Sequence, residues 1–276
     1  MGIHELRRLG THLGRLRGSA ARNTAEAAAV LGWPTARMVR FEAGLATIRR
    51  TDLMELVGFY GADPTPALAL LDGTRGWWNR YSDEIDTDCE TLLILEDSAA
   101  SLRTHHAGLV PGLLQTRAYT AALIGTRRDQ PWPRLEKLVD LRQERARVLG
   151  RGGMEMTGLI DEAALRRPVG GPAVMREQYE HLIAMSRLPG VNVLVRPLTA
   201  EPCRAVRFSF HVFDLRVGDD GSAEDAAVQL ELLDREHFEW NALEVASYRR
   251  AFARAERDAL DADASADFLA GLAAAC

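Results

Sequence analysis

The chain has 276 residues, 47% of them hydrophobic and 26% charged, and a net charge of −5, the balance of an ordinary folded globular protein. Its length exceeds what one small helical domain needs, so two domains are expected. No apolar run approaches the ~20 residues that span a bilayer, and Met1 to Ala20 lacks the apolar core of a signal peptide, which excludes a membrane-spanning reading.

In chain order, Leu6, Leu9, Leu13 and Leu16 recur at 3–4 spacing and predict an amphipathic first helix over residues 5–18. The stretch from Thr24 to Gly44, TAEAAAVLGWPTARMVRFEAG, has the form of a helix-turn-helix. Thr24 is expected to N-cap its first helix, and Ala27, Ala28, Val30 and Leu31 give a small apolar face. Gly32 can take the positive φ that ends a helix, and Pro34 suits the start of the next. Thr35 to Glu42 forms that next helix, with Met38 and Phe41 inward and Gly44 closing it. Thr51 is expected to cap a fourth helix carrying Leu53, Leu56, Val57 and Tyr60 to the core, and Pro66 to Leu71 forms a fifth. Asp72-Gly73-Thr74 sets the expected boundary, giving a helix-turn-helix domain over 1–73 and a larger second domain over 74–276.

Trp77, Trp78 and Tyr81 open a new apolar cluster. Helices are predicted over Cys89 to His105, from about Leu113, over Arg134 to Leu149, over Pro172 to Arg187, over Glu244 to Leu260 and over Ser265 to Ala274. Strands are predicted at Met156 to Ile160, Val191 to Pro197, Phe208 to Phe213 and Ala227 to Leu233, and Asp161-Glu162 begins a short helical turn. The fold class is therefore mainly α: an all-α N-terminal domain of four to five helices, then a larger α+β domain with a small sheet.

Charge is unevenly spread. The first fifty residues hold nine arginines and three acids, about +6, which leaves about −11 on the rest. A basic end on an acidic body docks one way round on a polyanion. Arginine abundance alone says less, because the chain has a single lysine, Lys137, and the alanine and glycine richness of a GC-rich genome. Cys89, Cys203 and Cys276 are odd in number and far apart, which points to reduced thiols and a cytoplasmic location.

The segment LGWPTARMVRFEAG, with LGTHLGRLRGSAARNTAEAAAVLG before it, resembles the helix-turn-helix of the XRE (Cro/C1-type) repressors. Further on, WWNRY, LVPGLLQTRAYTAAL, LRQERARVL, LIDEAALRRPVGG, REQYEHLIAMSRLPGVNVLVRPL and SYRRAFARAERDAL resemble the domain of uncharacterised function that follows it in actinomycete regulators of the WhiJ type. The resemblance implies an ion pair between Arg17 and Glu42, fixing an interhelical angle rather than adding much stability. It also implies a homodimer on a pseudo-palindromic operator in double-stranded DNA, and a small acidic partner protein or a small-molecule effector.

With that docking as guide, Thr35, Ala36, Arg37 and Arg40 face the major groove, where arginine can bond guanine O6 and N7. Thr24 sits where a helix N-terminus meets phosphate, and Arg22, Arg49 and Arg50 flank it for phosphate contacts, a solvated charged face being the alternative reading of each arginine. Pro34, Ala36 and Val39 stand where relatives carry hydroxyls, and Ala25 where a glutamine is common, so base reading rests on fewer polar side chains.

Little in the second domain points to catalysis, and no enzyme activity is expected. Asp161-Glu162 fits helix capping better than paired acid–base work. His105-His106 has no further His or Cys at metal-ligand spacing, nor has His181, His211 or His237. Residues 150–153 are glycine-rich but lack the lysine of a phosphate loop. Ligand or partner candidates are Pro111, Gln115 and Tyr119, on a turn feeding a helix, and the aromatic Trp77, Trp78 and Tyr81; core packing is the plainer reading of both groups. No cofactor or metal is implied. An alternative is an antitoxin-like protein that sequesters a small acidic partner and autoregulates its own operon.

Overall fold

The computed structural model describes residues 2–126, 131–150, 153–216, 226–232 and 236–276. It is an all-helical N-terminal region followed by a larger region built on a mixed sheet, and its compact units divide between Ser98 and Ala99.

The first unit holds α1 (Gly2–Ser19), α2 (Thr24–Val30), α3 (Thr35–Glu42), α4 (Arg50–Phe59), α5 (Thr65–Thr74), a 3₁₀ turn at Trp77–Tyr81 and α6 (Thr87–Ser98). Leucines of α1 at 3–4 spacing, Leu9 and Leu13 among them, bury against Met38 and Phe41 of α3 and Leu53 and Leu56 of α4. Two glycines allow the close approach of α1 to the end of α3. A Cβ on Gly10 would lie 2.5 Å from the Phe41 carbonyl oxygen, and one on Gly44 would lie 2.4 Å from Arg7 Cα.

Two caps differ from expectation. Asn23, not Thr24, caps α2: its Oδ1 accepts from Glu26 N–H at 2.9 Å, and the Glu26 carboxylate accepts from Asn23 N–H at 2.8 Å. That reciprocal box needs a glutamate three residues after the cap, which Asn23 has. Helix α4 likewise starts one residue before Thr51, with Arg49 at the cap position making no side-chain capping bond and the Thr51 hydroxyl donating to Asp52. The aromatic turn belongs with this unit too, beyond the boundary expected at residue 73. Trp78 and Tyr81 are buried in it, with Trp77 edge-on to both.

The second unit is a six-stranded sheet in the order β3-β2-β1-β4-β5-β6. Its strands are β1 (Ala99–His106), β2 (Glu155–Asp161), β3 (Val191–Arg196), β4 (Phe210–Leu215), β5 (Ala226–Glu231) and β6 (Glu236–Glu239). The first three run parallel, and β4 turns the sheet antiparallel through β5 to β6. Its helices are α7 (Arg117–Ile124), α8 (Trp132–Gly150), α9 (Glu162–Leu165), α10 (Pro172–Met185), α11 (Ala242–Arg257) and α12 (Ala262–Ala274). On one face Leu159, Phe210, Val212 and Val228 pack against Val245, Phe252 and Ala255 of α11.

The helix predicted over Cys89 to His105 stops at Ser98, and the next eight residues are the central strand β1. Pairing on both sides overrides local helix preference, because β1 bonds β2 at Thr104↔Gly158 and β4 at Thr104↔His211. The helix predicted from Leu113 is a 3₁₀ turn, Gly112–Leu114, and α7 begins only at Arg117, capped by the Thr116 hydroxyl accepting from Tyr119 N–H at 3.2 Å. The edge strand β6, sequence EHFE, carries too little apolar character to be read as a strand. Among the described residues no helix is long and apolar enough to cross a membrane.

Candidate functional site

In the first unit, α2 and α3 are joined by a turn in which Gly32 has φ +64°. Burying Met38 and Phe41 leaves Thr35, Ala36, Val39 and Arg40 of α3 exposed, Val39 at 54%. Arg37 sits between the buried and exposed faces. Its guanidinium lies 4.1 Å from the Trp33 ring centroid and donates to the Thr87 hydroxyl at 3.1 Å, so it is held within the unit. Thr47 donates to the Thr87 carbonyl at 3.0 Å, fixing the same corner.

The other candidates ring this surface. Thr24 is the first residue of α2 and half-buried. Exposed Arg22 stacks over Phe59 at 4.7 Å. Arg49 is exposed at the start of α4, and Arg50 pairs with Asp72 at 3.2 Å. Arg49 and Arg50 also edge a cleft of about 160 Å³ that Leu71 and Trp78 line with the start of α6.

Arg17 of α1 and Glu42 of α3 form a two-pronged ion pair, Nε to Oε1 at 2.6 Å and Nη2 to Oε2 at 2.8 Å. The third arm, Nη1, donates to the Arg22 carbonyl at 3.0 Å, so one side chain ties α1 to α3 and to the connection that leads into α2. The bonds to Glu42 raise the Arg17 pKa further. The side chains are only 21% and 13% exposed, so truncating one leaves the other poorly solvated. Glu42→Ala is expected to lower unfolding free energy by about 3 kcal/mol, and Arg17→Met/Glu42→Leu by less, because the double change strands no charge. Urea denaturation of the full chain measures both. Equal losses would show the pair to be solvated.

The candidates of the two units stay separate in the chain's division. Trp77, Trp78 and Tyr81 belong to the first, and Pro111, Gln115 and Tyr119 to the second. Gln115 is buried, its Nε2 donating to the Val110 carbonyl at 2.8 Å and its Oε1 accepting from Thr120 and Arg142, each at 3.2 Å. Tyr119 is fully buried, its hydroxyl accepting from Val110 N–H at 3.3 Å, and burial raises its pKa. These bonds fold the Pro111 turn onto α7.

Asp161 and Glu162 diverge, but neither acts as a side-chain cap. Asp161 stands at the cap position of α9 without a capping bond and faces His105 Nε2 at 3.5 Å and Arg196 Nη1 at 3.8 Å. Glu162 accepts from Leu198 N–H at 2.8 Å and from Arg166 at 2.5 Å. Sequence reading missed one group. Adjacent strands bring the rings of His106 and His211 to 5.2 Å, although the two lie on β1 and β4, far apart in sequence. The signal was the polar alternation of Thr104 and His106, masked by a helical reading. Among the described residues no three His, Cys, Asp or Glu side chains are placed to hold a metal ion. Within the glycine-rich stretch 150–153, Arg151 and Gly152 lie outside the described residues.

Comparison with known proteins gives one family: residues 89–271 match the profile of a domain of unknown function (DUF5753). No curated protein matches the chain, and no solved structure does.

Proposed function

The chain belongs to the DUF5753 family, and on that premise we propose that it is a cytoplasmic, sequence-specific transcriptional regulator. The first unit binds double-stranded DNA as an XRE-type helix-turn-helix, and the second dimerises and receives a signal. The observation that carries this is the exposed face of α3, with Thr35, Ala36, Val39 and Arg40 outward, on a fifty-residue segment of about +6 within an acidic chain. Two such helices about 34 Å apart in a homodimer match one turn of a pseudo-palindromic operator. Arg40 and Arg37 read bases, Arg37 after exchanging Thr87 for a base edge. Val39 suits a thymine methyl group, and Arg22, Arg49 and Arg50 hold phosphates.

A mobility-shift titration against the protein's own promoter fragment tests it. Affinity should fall roughly a thousandfold between 50 and 200 mM salt if about six phosphates are contacted. Arg49→Ala should weaken all sequences alike and flatten that dependence. Arg40→Ala should cost ~1–3 kcal/mol on the preferred sequence alone. Binding that is insensitive to salt and to Arg37→Ala/Arg40→Ala would overturn the assignment.

A further inference from the structure

The three parallel strands end side by side, β1 at His106, β2 at Asp161 and β3 at Arg196. Open sheets of this kind hold ligands at the carboxyl ends of their parallel strands. Polar side chains stand there on both faces of the sheet. On one face the carboxylate of Asp161 has Arg196 and His105 beside it; Asp161 Oδ1, His105 Nε2 and Arg196 Nε have no hydrogen-bond partner among the described residues, but carboxylate and guanidinium answer each other's charge.

The other face is different. Register sets Thr104 of β1, His211 of β4 and Gln229 of β5 in one row across three strands. His106, two residues beyond Thr104, shares their face and meets the His211 ring. None of the four residues is more than 9% exposed. Yet Thr104 Oγ1, His106 Nε2, His211 Nδ1 and Gln229 Oε1 have no hydrogen-bond partner among the described residues. A buried polar atom left unpaired costs about 1–3 kcal/mol, so four on one patch mark a place built for a polar guest.

Neighbouring charge narrows the guest. Burial pushes both imidazoles towards the neutral form, and the charge of Arg145 adds to this at His211, as that of Arg142 does, after the neighbouring histidines, at His106. Positive charge at the two histidines disfavours a metal cation and favours an anion there, while the Glu236 carboxylate, which accepts from Gln229 Nε2, stands at the other end of the row. Neutral imidazoles and a threonine hydroxyl can each donate, whereas Gln229 Oε1 only accepts, so the guest must also bring a proton. We propose that this sheet face is the receiving site of the second unit and binds a small anion carrying a hydroxyl proton, inorganic phosphate being the simplest member of the class. The assignment rests on the reading of that unit as the signal-receiving part.

The test is a titration of full-length protein, isotope-labelled at histidine, with inorganic phosphate and separately with sulfate at matched ionic strength. Ring resonances of His106 and His211 should move saturably with millimolar phosphate, and those of exposed His237 should not. Sulfate, which has no proton to give Gln229, should bind more weakly. Arg145→Gln and the near-isosteric Thr104→Val should each weaken phosphate by about tenfold. Unmoved His106 and His211 resonances, or all histidines drifting alike, would overturn the site. Operator affinity measured with and without phosphate separates the two ideas. Saturable histidine shifts with unchanged DNA binding keep the site and reject its signalling role, whereas altered DNA binding with silent histidines does the reverse.

Discussion

Gly44→Ala is expected to lower the stability of the first unit by about 2–5 kcal/mol. Gly44 has φ +70°, where an L side chain costs ~1–2 kcal/mol. Its Cβ would also fall 2.4 Å from Arg7 Cα and 2.8 Å from Arg7 N, backbone atoms that retreat only if α1 moves as a whole. Such overpacking adds about 1–3 kcal/mol. Gly32→Ala supplies the control, with the same left-handed backbone at φ +64° and nothing within 4 Å of the new methyl group. It should cost only the conformational part. Urea unfolding followed by far-UV circular dichroism compares them, and equal losses would mean that α1 does not press on the end of α3. Moving α1 would also separate Arg17 from Glu42 and shift α3, so the Gly44 variant should lose the proposed DNA binding before it unfolds fully.

Acid is expected to unfold the second unit well before it protonates most carboxylates. His211 is buried and its pKa is pushed down from 6.5 to about 3 by burial and by the nearby Arg145 charge. His106 is lowered well below its ordinary value by burial, by His211 and His105, and by Arg142. Both imidazoles stay neutral in the native state where the unfolded chain takes up protons. The stabilisation is therefore complete above the unfolded pKa near 6.5 and drains away as pH falls towards the native values. Between pH 7 and 5 His211 alone should remove about 2 kcal/mol, and His106 adds in the same direction. Chemical denaturation at a series of pH values checks this, with His211→Gln expected to flatten the slope. A bound anion of the kind proposed would oppose the loss, because it favours the folded state by mass action.

What the sequence made legible follows from how local each signal is. The leucine stripe of α1, the glycine at the α2–α3 turn and the alternation of VNVLVR are written within a few residues, and the elements stand close to where they were expected. The cap of α2 was legible too, since Asn23 and Glu26 form the box, but Thr24 one residue later masked it. Strand β1 was not. Its residues follow directly on a helix, and only partners far along the chain make it a strand. The same distance hid the meeting of His106 with His211. Among the candidates, Arg17 with Glu42 could be anticipated from a resemblance, whereas the hold of Thr87 on Arg37 joins residues fifty apart with no local signal.

The central position of β1 has a consequence for how the chain comes to be made. Arg103 on that strand donates to Asp214, 111 residues further on, so β1 gains its antiparallel neighbour only after most of the protein has been synthesised. The helical unit, whose packing partners all lie before β1, can form on the ribosome while β1 waits with an open edge. During that interval the nascent chain is a finished head followed by a strand with one edge unpaired, which other strands can capture. Slow folding and a need for chaperones should belong to the second unit and not to the first.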